Sequence, residues 1–303
     1  MNNTDERFFK WADWIIEQSG KRDFSEAWSF TLGHATLKVS IEKDLLDSVD
    51  LSRYSAFITN EVPMLEILFF KIPFPENWES TREVEERTGY LPDGTFFTFL
   101  WNVFGVCRNN ICYYGLLPYT SPDMVNSLKT FSMMLDNSFR VCFSYMFTRC
   151  NQTFIHGAGI IRNNLGLIFT GKSGAGKSTV SGFSKQFPVI SDDLLVVSMN
   201  GNYPMLLGCP FFGDYRNSPQ MEAPLHAIFF LVQSRDDRIE KINGFRELLS
   251  SIMTLSYGRD TNRFYFDFAG SLFEKVPIWN LYFTKSDNFW KVIEERMPEI
   301  RET

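Results

Sequence analysis

Hydrophobic residues recur at helical spacing from the start of the chain. Phe8, Trp11, Ala12 and Ile15 share one face of a helix expected over residues 5–19, with Asp5 as its cap and Gly20 as its stop. From residue 27 to 120 the pattern changes to short runs of aromatic and β-branched residues, which predicts strands. Leu37, Val39 and Ile41 lie on one side of Ala35–Ile41, and Thr95–Val106 and Ile111–Leu117 are further runs. Pro92-Asp93-Gly94 and Asn109-Asn110 are turn sequences between them. Residues 76–88, rich in Glu and Arg, read as a loop or short helix. Ser121-Pro122-Asp123 then opens a long helix, 122–149, in which Val125, Leu128, Phe131, Leu135, Phe139, Cys142 and Met146 form one apolar stripe.

Beyond residue 150 strands and helices alternate. Thr153–Ile161 and Leu165–Thr170 read as two strands joined by an Asn163-Asn164 turn. Val196–Ser198 and Tyr203–Leu207 read as a hairpin with Asn200-Gly201 at its tip. His226–Val232 has the continuous apolar character of a buried strand. A helix over Phe245–Ser256, a strand over Ile278–Phe283 and a closing helix over Ser286–Arg296 complete the prediction. The expected organisation is a β-rich N-terminal domain, residues 1–150, carrying the N-terminal and long helices, followed by an α/β (α+β) domain with a mixed sheet, residues 151–303.

The 303 residues suffice for two cores, and 44% hydrophobic and 16% aromatic content describes a folded chain. A net charge of −6 without a basic stripe argues against nucleic acid as a partner. The sequence Met1-Asn2-Asn3-Thr4-Asp5-Glu6 lacks the basic and apolar regions of a signal peptide, and no 18-residue apolar window is present, so a cytoplasmic protein without a membrane partner is expected. Of the five cysteines, Cys107 and Cys112 are spaced C-x4-C with no second His/Cys pair near them in sequence. A zinc site at that pair is the lesser alternative, and all five are expected to be reduced, part-buried thiols of a cytosolic protein.

The chemistry concentrates in Gly171-Lys172-Ser173-Gly174-Ala175-Gly176-Lys177-Ser178-Thr179, which matches G-x-x-x-x-G-K-[ST] between an apolar strand and a short helix. In such a loop inward-facing backbone N–H groups bind phosphate oxygens. Gly171 and Gly176 permit close approach, Ser173, Gly174, Ala175 and Thr179 complete the cradle, Lys177 reaches the β- and γ-phosphates, and Ser178 can hold Mg²⁺. Asp192 and Asp193 end the short apolar strand that follows, where one carboxylate could serve a metal and the other take a proton from a hydroxyl. Asp192 is preferred as base and Asp193 as metal contact. His156, one strand upstream of the loop, is a candidate for contact with substrate or phosphate. His34 and His226 are read as structural, and Lys172 either adds charge near the phosphates or faces solvent. The turn-rich Gly208–Arg216 segment could cover a nucleotide or substrate, with Asp214, Arg216 and Glu222 as its polar candidates.

His156-Gly157, the Thr170–Ser178 loop, the short helix and Ile190-Ser191-Asp192-Asp193, in that order, resemble the HPr serine kinase family within the HPr kinase and phosphoenolpyruvate carboxykinase group. The resemblance spans about residues 153–283. Pro224–Val232 and Val276–Phe283 are similar to later strands of stand-alone HPr-kinase-like proteins, some of which accompany peptide-modifying gene clusters, lasso-peptide kinases among them. It implies ATP, Mg²⁺ and phosphorylation of a serine hydroxyl, with Lys177 on phosphate, Ser178 on the metal, the Asp pair supplying base and metal contact, and His156 beside the transferred phosphate. Lys172 stands where an acidic residue is common in that family, a Glu-x-Arg-Gly-x-Gly stretch is absent, and the first 150 residues have no counterpart. The expectation is therefore a kinase for a peptide, protein or small-molecule hydroxyl. A kinase for free serine or a sugar, and a nucleotide-binding regulator without transfer activity, stand beside it. Whether the chain forms a homo-oligomer is left open.

Overall fold

The computed structural model describes residues 3–24, 26–48, 50–74, 87–100, 103–118, 128–214, 220–253 and 259–301. The chain divides into two units, Met1–Met146 with Leu255–Arg259, and Phe147–Thr254 with Asp260–Thr303.

The first unit is a seven-stranded mixed sheet. Its strands are β1 (Glu26–Leu32), β2 (Ala35–Ile41), β3 (Leu65–Lys71), β4 (Arg87–Tyr90), β5 (Phe96–Leu100), β6 (Val103–Arg108) and β7 (Ile111–Leu116), in the spatial order β1-β2-β3-β7-β6-β5-β4. Strand β3 runs parallel to both neighbours, and the other pairs are antiparallel. Helix α1 (Asn3–Ser19) lays Trp11, Ala12 and Ile15 on one face of this sheet, against Phe70, Phe97, Phe104 and Val106. The other face carries α2 (Leu128–Phe147), whose Phe139 meets Phe30 and Tyr54 and whose Tyr145 stacks on Phe96. Each strand can serve two helices because its side chains alternate between the faces.

The structure departs from the sequence-based expectations in particular places. Helix α1 begins at Asn3, so Asp5 lies inside its first turn rather than ahead of it. The run Thr95–Val106 is two antiparallel strands, β5 and β6, not one. Asn109 and Asn110 take positive φ values of 53° and 63° and close the β6–β7 hairpin as expected, because Asn tolerates the left-handed region. Residues 75–86, most of the predicted loop or short helix, and the predicted helix start at Pro122 lie outside the described residues, while Arg87 and Thr88 belong to β4. Cys107 and Cys112 face each other in the β6–β7 register and are joined as a disulfide, which corrects the reading of five free thiols. Cys142, Cys150 and Cys209 are buried thiols outside any disulfide.

The second unit is built on a ten-stranded mixed sheet. In chain order its elements are β8 (Gln152–His156), β9 (Ala158–Arg162), β10 (Leu165–Thr170), α3 (Lys177–Gly182), β11 (Val189–Ser191), β12 (Leu194–Ser198), β13 (Met205–Leu207), β14 (Glu222–Gln233), β15 (Arg238–Lys241), α4 (Phe245–Ser251), β16 (Ile252–Met253), α5 (Arg259–Lys275), β17 (Ile278–Phe283) and α6 (Phe289–Arg296). The path is β11-β9-β10-β14-β13-β12-β8-β16, with β17 pairing β14 and β15. The long β14 pairs antiparallel with β13 near its start and parallel with β10 and β17 further on. Residues on β14 alternate between two cores. Ile228 and Phe230 join the core that includes Leu248 of α4 and Tyr265, Phe268 and Leu272 of α5. Ala227, Phe229 and Leu231 join the core of α3 and α6 with Val180, Phe289, Trp290 and Ile293.

Phe229 is fully buried and stacks on Phe169 at 5.1 Å, so Phe229→Ala leaves a cavity at the middle of the sheet. A loss of about 3–5 kcal/mol is expected, read from the shift of the chemical denaturation midpoint.

Here too the sequence-based picture is corrected. Thr153–Ile161 is not one strand: it breaks at Gly157, with β8 before the break pairing with β12 and β16, and β9 after it pairing with β10 and β11. Asn200-Gly201 is not a two-residue turn, because Ser198 pairs with Met205 and leaves a longer loop in which Asn200 instead donates to the Cys150 carbonyl. The helix predicted to Ser256 ends at Ser251, where β16 begins, and α5 was not anticipated. Among the described residues no helix is long and apolar enough to cross a membrane.

Candidate active site

Strand β10 delivers the glycine-rich loop. Its last residue, Thr170, donates its hydroxyl to the His156 carbonyl at 2.6 Å, which ties the end of β10 to the end of β8. The chain then turns through Gly171–Gly176 into α3. Gly176, at φ 117°, caps that helix, and a Cβ there would sit 2.5 Å from the Phe283 ring. Both the backbone angle and the ring require glycine. Within the loop Ala175 N–H donates to the Lys172 carbonyl, and the Gln233 amide donates to the Gly174 carbonyl at 2.7 Å. The latter bond fastens the loop to the end of β14.

Lys177 folds back over this loop. Its ammonium donates to the carbonyls of Gly171 at 3.1 Å and Lys172 at 3.4 Å. Burial pushes the Lys177 pKa below its ordinary value, and the charge of Asp193 works in the opposite direction. A partly desolvated cation at a turn of backbone amides is suited to receive an anion.

The two carboxylates differ sharply in setting. Asp192 is only 6% exposed, and its two oxygens accept N–H bonds from Gly213 at 2.8 Å and Asp214 at 3.1 Å. A Cβ on Gly213 would come within 3.1 Å of both those oxygens, so glycine lets the backbone close onto Asp192. Asp193 is 31% exposed, and its Oδ1 lies 3.3 Å from Nδ1 of His156. The contact follows from the strand pairing, since His156 is opposite Leu194 on β12 and the Asp193 carbonyl accepts from Gly157 N–H at 3.0 Å.

These groups line one cleft of about 400 Å³. It brings together His156, Asp192, Asp193, Ser173, Gly174, Gly176, Lys177, Ser178 and Thr179, along with Gly213 and Asp214. Of the predicted loop residues, Gly171 and Ala175 are not in the lining, and Ala175 packs against the α3–α6 core. The Lys172 side chain is exposed and is not part of the lining. Of the turn-rich segment, Asp214 enters the cleft, Glu222 starts β14 away from it, and Arg216 lies outside the described residues. His226 bonds Glu299 at 2.8 Å, and His34 sits at the exposed β1–β2 turn. Sequence reasoning missed Gly213. Its signal, a glycine beside Asp214 in a turn-rich run, was visible, but its use as a donor to Asp192 was not.

No protein-family model matches the chain, and no curated protein matches it in sequence. Among solved structures it aligns with the HPr(Ser) kinase/phosphatase from Coxiella burnetii over 48% of this chain and 97% of that one, at 11% identity and a TM-score of 0.29. At that identity and score the likeness assigns no role to any residue here.

Proposed function

We propose that the chain is an ATP- and Mg²⁺-dependent kinase that transfers the γ-phosphate to a hydroxyl, that of a serine on a peptide or protein. The observation that carries this reading is the convergence, in one cleft, of the Gly171–Thr179 loop, the Asp192-Asp193 pair and His156. The donor set suits the group that would bind. Ser178 and Asp214 offer hard oxygen ligands of the kind Mg²⁺ takes, and the half-buried Lys177 faces backbone carbonyls, where a phosphate would complete its shell. Bound Mg²⁺ would supply neutralisation of charge on the phosphates.

The chain's own residues then divide the work. Loop amides and Lys177 hold and orient the phosphates. Asp193, part-exposed and adjacent to His156, takes the proton as the acceptor oxygen bonds to phosphorus and the bond to ADP breaks. His156 stays beside the carboxylate that becomes protonated. Asp192, engaged by two backbone donors, positions the 208–214 loop and with it Asp214. This assignment reverses the preference between the two Asp residues drawn from sequence, because accessibility favours Asp193.

The test is a panel of acceptors with γ-labelled ATP and Mg²⁺: serine-containing peptides and proteins, free serine, and sugars. Label on a peptide or protein serine is expected. Label confined to free serine or a sugar moves the reading to a small-molecule kinase. Nucleotide binding with no transfer to any acceptor or to water withdraws the kinase reading in favour of a regulator.

A further inference from the structure

The three sulfurs of Cys107, Cys112 and Cys142 lie within 4.8 Å of one another, all buried, in the first unit. Cys107 and Cys112 are opposite each other across the β6–β7 hairpin, and Cys142 is carried onto the same face by α2. Gly105 and Tyr114 are the next pair along that face, and Tyr114 Oη accepts from the Cys142 thiol at 3.3 Å. A disulfide across the hairpin needs two cysteines and no third. The third sulfur and a phenol oxygen beside it make a ligand set instead.

We propose that, once the Cys107–Cys112 disulfide is reduced, these three cysteines bind one thiophilic divalent cation of the Zn²⁺ class as thiolates. Soft thiolate donors select such ions. Sulfurs around a tetrahedral Zn²⁺ with bonds of about 2.3 Å stand roughly 3.8 Å apart. Once the bonded pair is released, Cys107 and Cys112 part to that spacing by side-chain rotation, and Cys142, within 4.8 Å of both, turns to meet them. Tyr114 Oη is the oxygen at hand for the fourth position. The oxidised pair cannot serve, because two of the three sulfurs are spent on each other, so the site is gated by reduction. With a phosphine as reductant, the disulfide takes two electrons and becomes two thiols. Water supplies their two protons and the oxygen of the phosphine oxide. Binding then replaces three S–H bonds by three S–metal bonds and releases three protons. The ion would clamp α2 to the sheet, so metal affinity would appear as folding stability.

The experiment uses the full chain, reduced with a phosphine and desalted without oxygen, then titrated with Cd²⁺ while thiolate-to-metal absorption is followed in the ultraviolet. Uptake of one equivalent is expected, with a raised melting temperature, and none of this in the oxidised protein. Cys142→Ser and, separately, Cys107→Ser should weaken binding by more than about 100-fold, beyond the usual cost of losing an outer-shell partner. Cys150 and Cys209 are present in every sample, so differences belong to the cluster. If a variant does not fold, the other carries the comparison. If reduction itself unfolds the chain, refolding on adding Cd²⁺ supports the site and failure to refold overturns it. A reduced, folded chain that takes up no Cd²⁺, or variants that bind as the parent does, also overturn it.

Discussion

Asp193→Asn is expected to lower kcat for phosphate transfer by about 10²- to 10⁴-fold, the range for removing a general base, with little change in nucleotide affinity. The amide keeps the size of the side chain and its place beside His156 Nδ1, 3.3 Å away, but it has no lone pair basic enough to take a proton. Asp192→Asn should behave differently. Its carboxylate accepts from both Gly213 and Asp214, and an amide turns one of those contacts into donor facing donor. That costs about 1–3 kcal/mol at a buried group, loosens the 208–214 loop, and should raise KM more than it lowers kcat. The pair of variants, assayed with the best acceptor from the panel, separates the roles. Full turnover in Asp193→Asn, or a deeper kcat loss in Asp192→Asn, would return the base assignment to Asp192.

This contrast marks where sequence stops informing. The loop motif and the nearby Asp pair were legible because each depends on residue type at fixed local spacing. The environment that tells Asp192 from Asp193 consists of backbone N–H groups some twenty positions on, and every residue except proline carries one. Fold-level reading met the same limit. Asn109-Asn110 and Asn163-Asn164 were readable as turns, and all four residues do hold positive φ. The apolar runs Thr95–Val106 and Thr153–Ile161 were not divisible, because a buried strand stays apolar on both sides of a reversal or a change of partner. Helix α5 did carry a signal, with Tyr265, Phe268, Ala269 and Leu272 buried at helical spacing, but it was masked by the polar residues around Arg259–Arg263. The cysteine cluster was invisible for a simpler reason. Cys142 is far from the hairpin in sequence, and only packing of α2 on the sheet brings it there.

Lys177→Met should lower kcat/KM for transfer by about 100- to 1,000-fold, the usual loss when one preorganised donor to developing charge is removed. The same variant is expected to keep or slightly raise the melting temperature. In the free protein the ammonium is held by two backbone carbonyls, and burial disfavours its charged form. Methionine retains the length of the stem and drops the charge, so the folded state loses a partly desolvated cation while the phosphate loses its partner. A mutation that removed activity by disturbing the loop would lower the melting temperature as well, so the two readouts together separate a phosphate contact from a structural lysine. Lys172→Met supplies the control within the same loop. Its side chain is exposed and outside the cleft lining, so transfer should change by less than about twofold, as screened surface charges contribute little. Unchanged kcat/KM in Lys177→Met would remove that residue from the phosphate site. Equal losses in both variants would mean that the loop acts through its overall charge, and the positioning argued from Lys177 would fail.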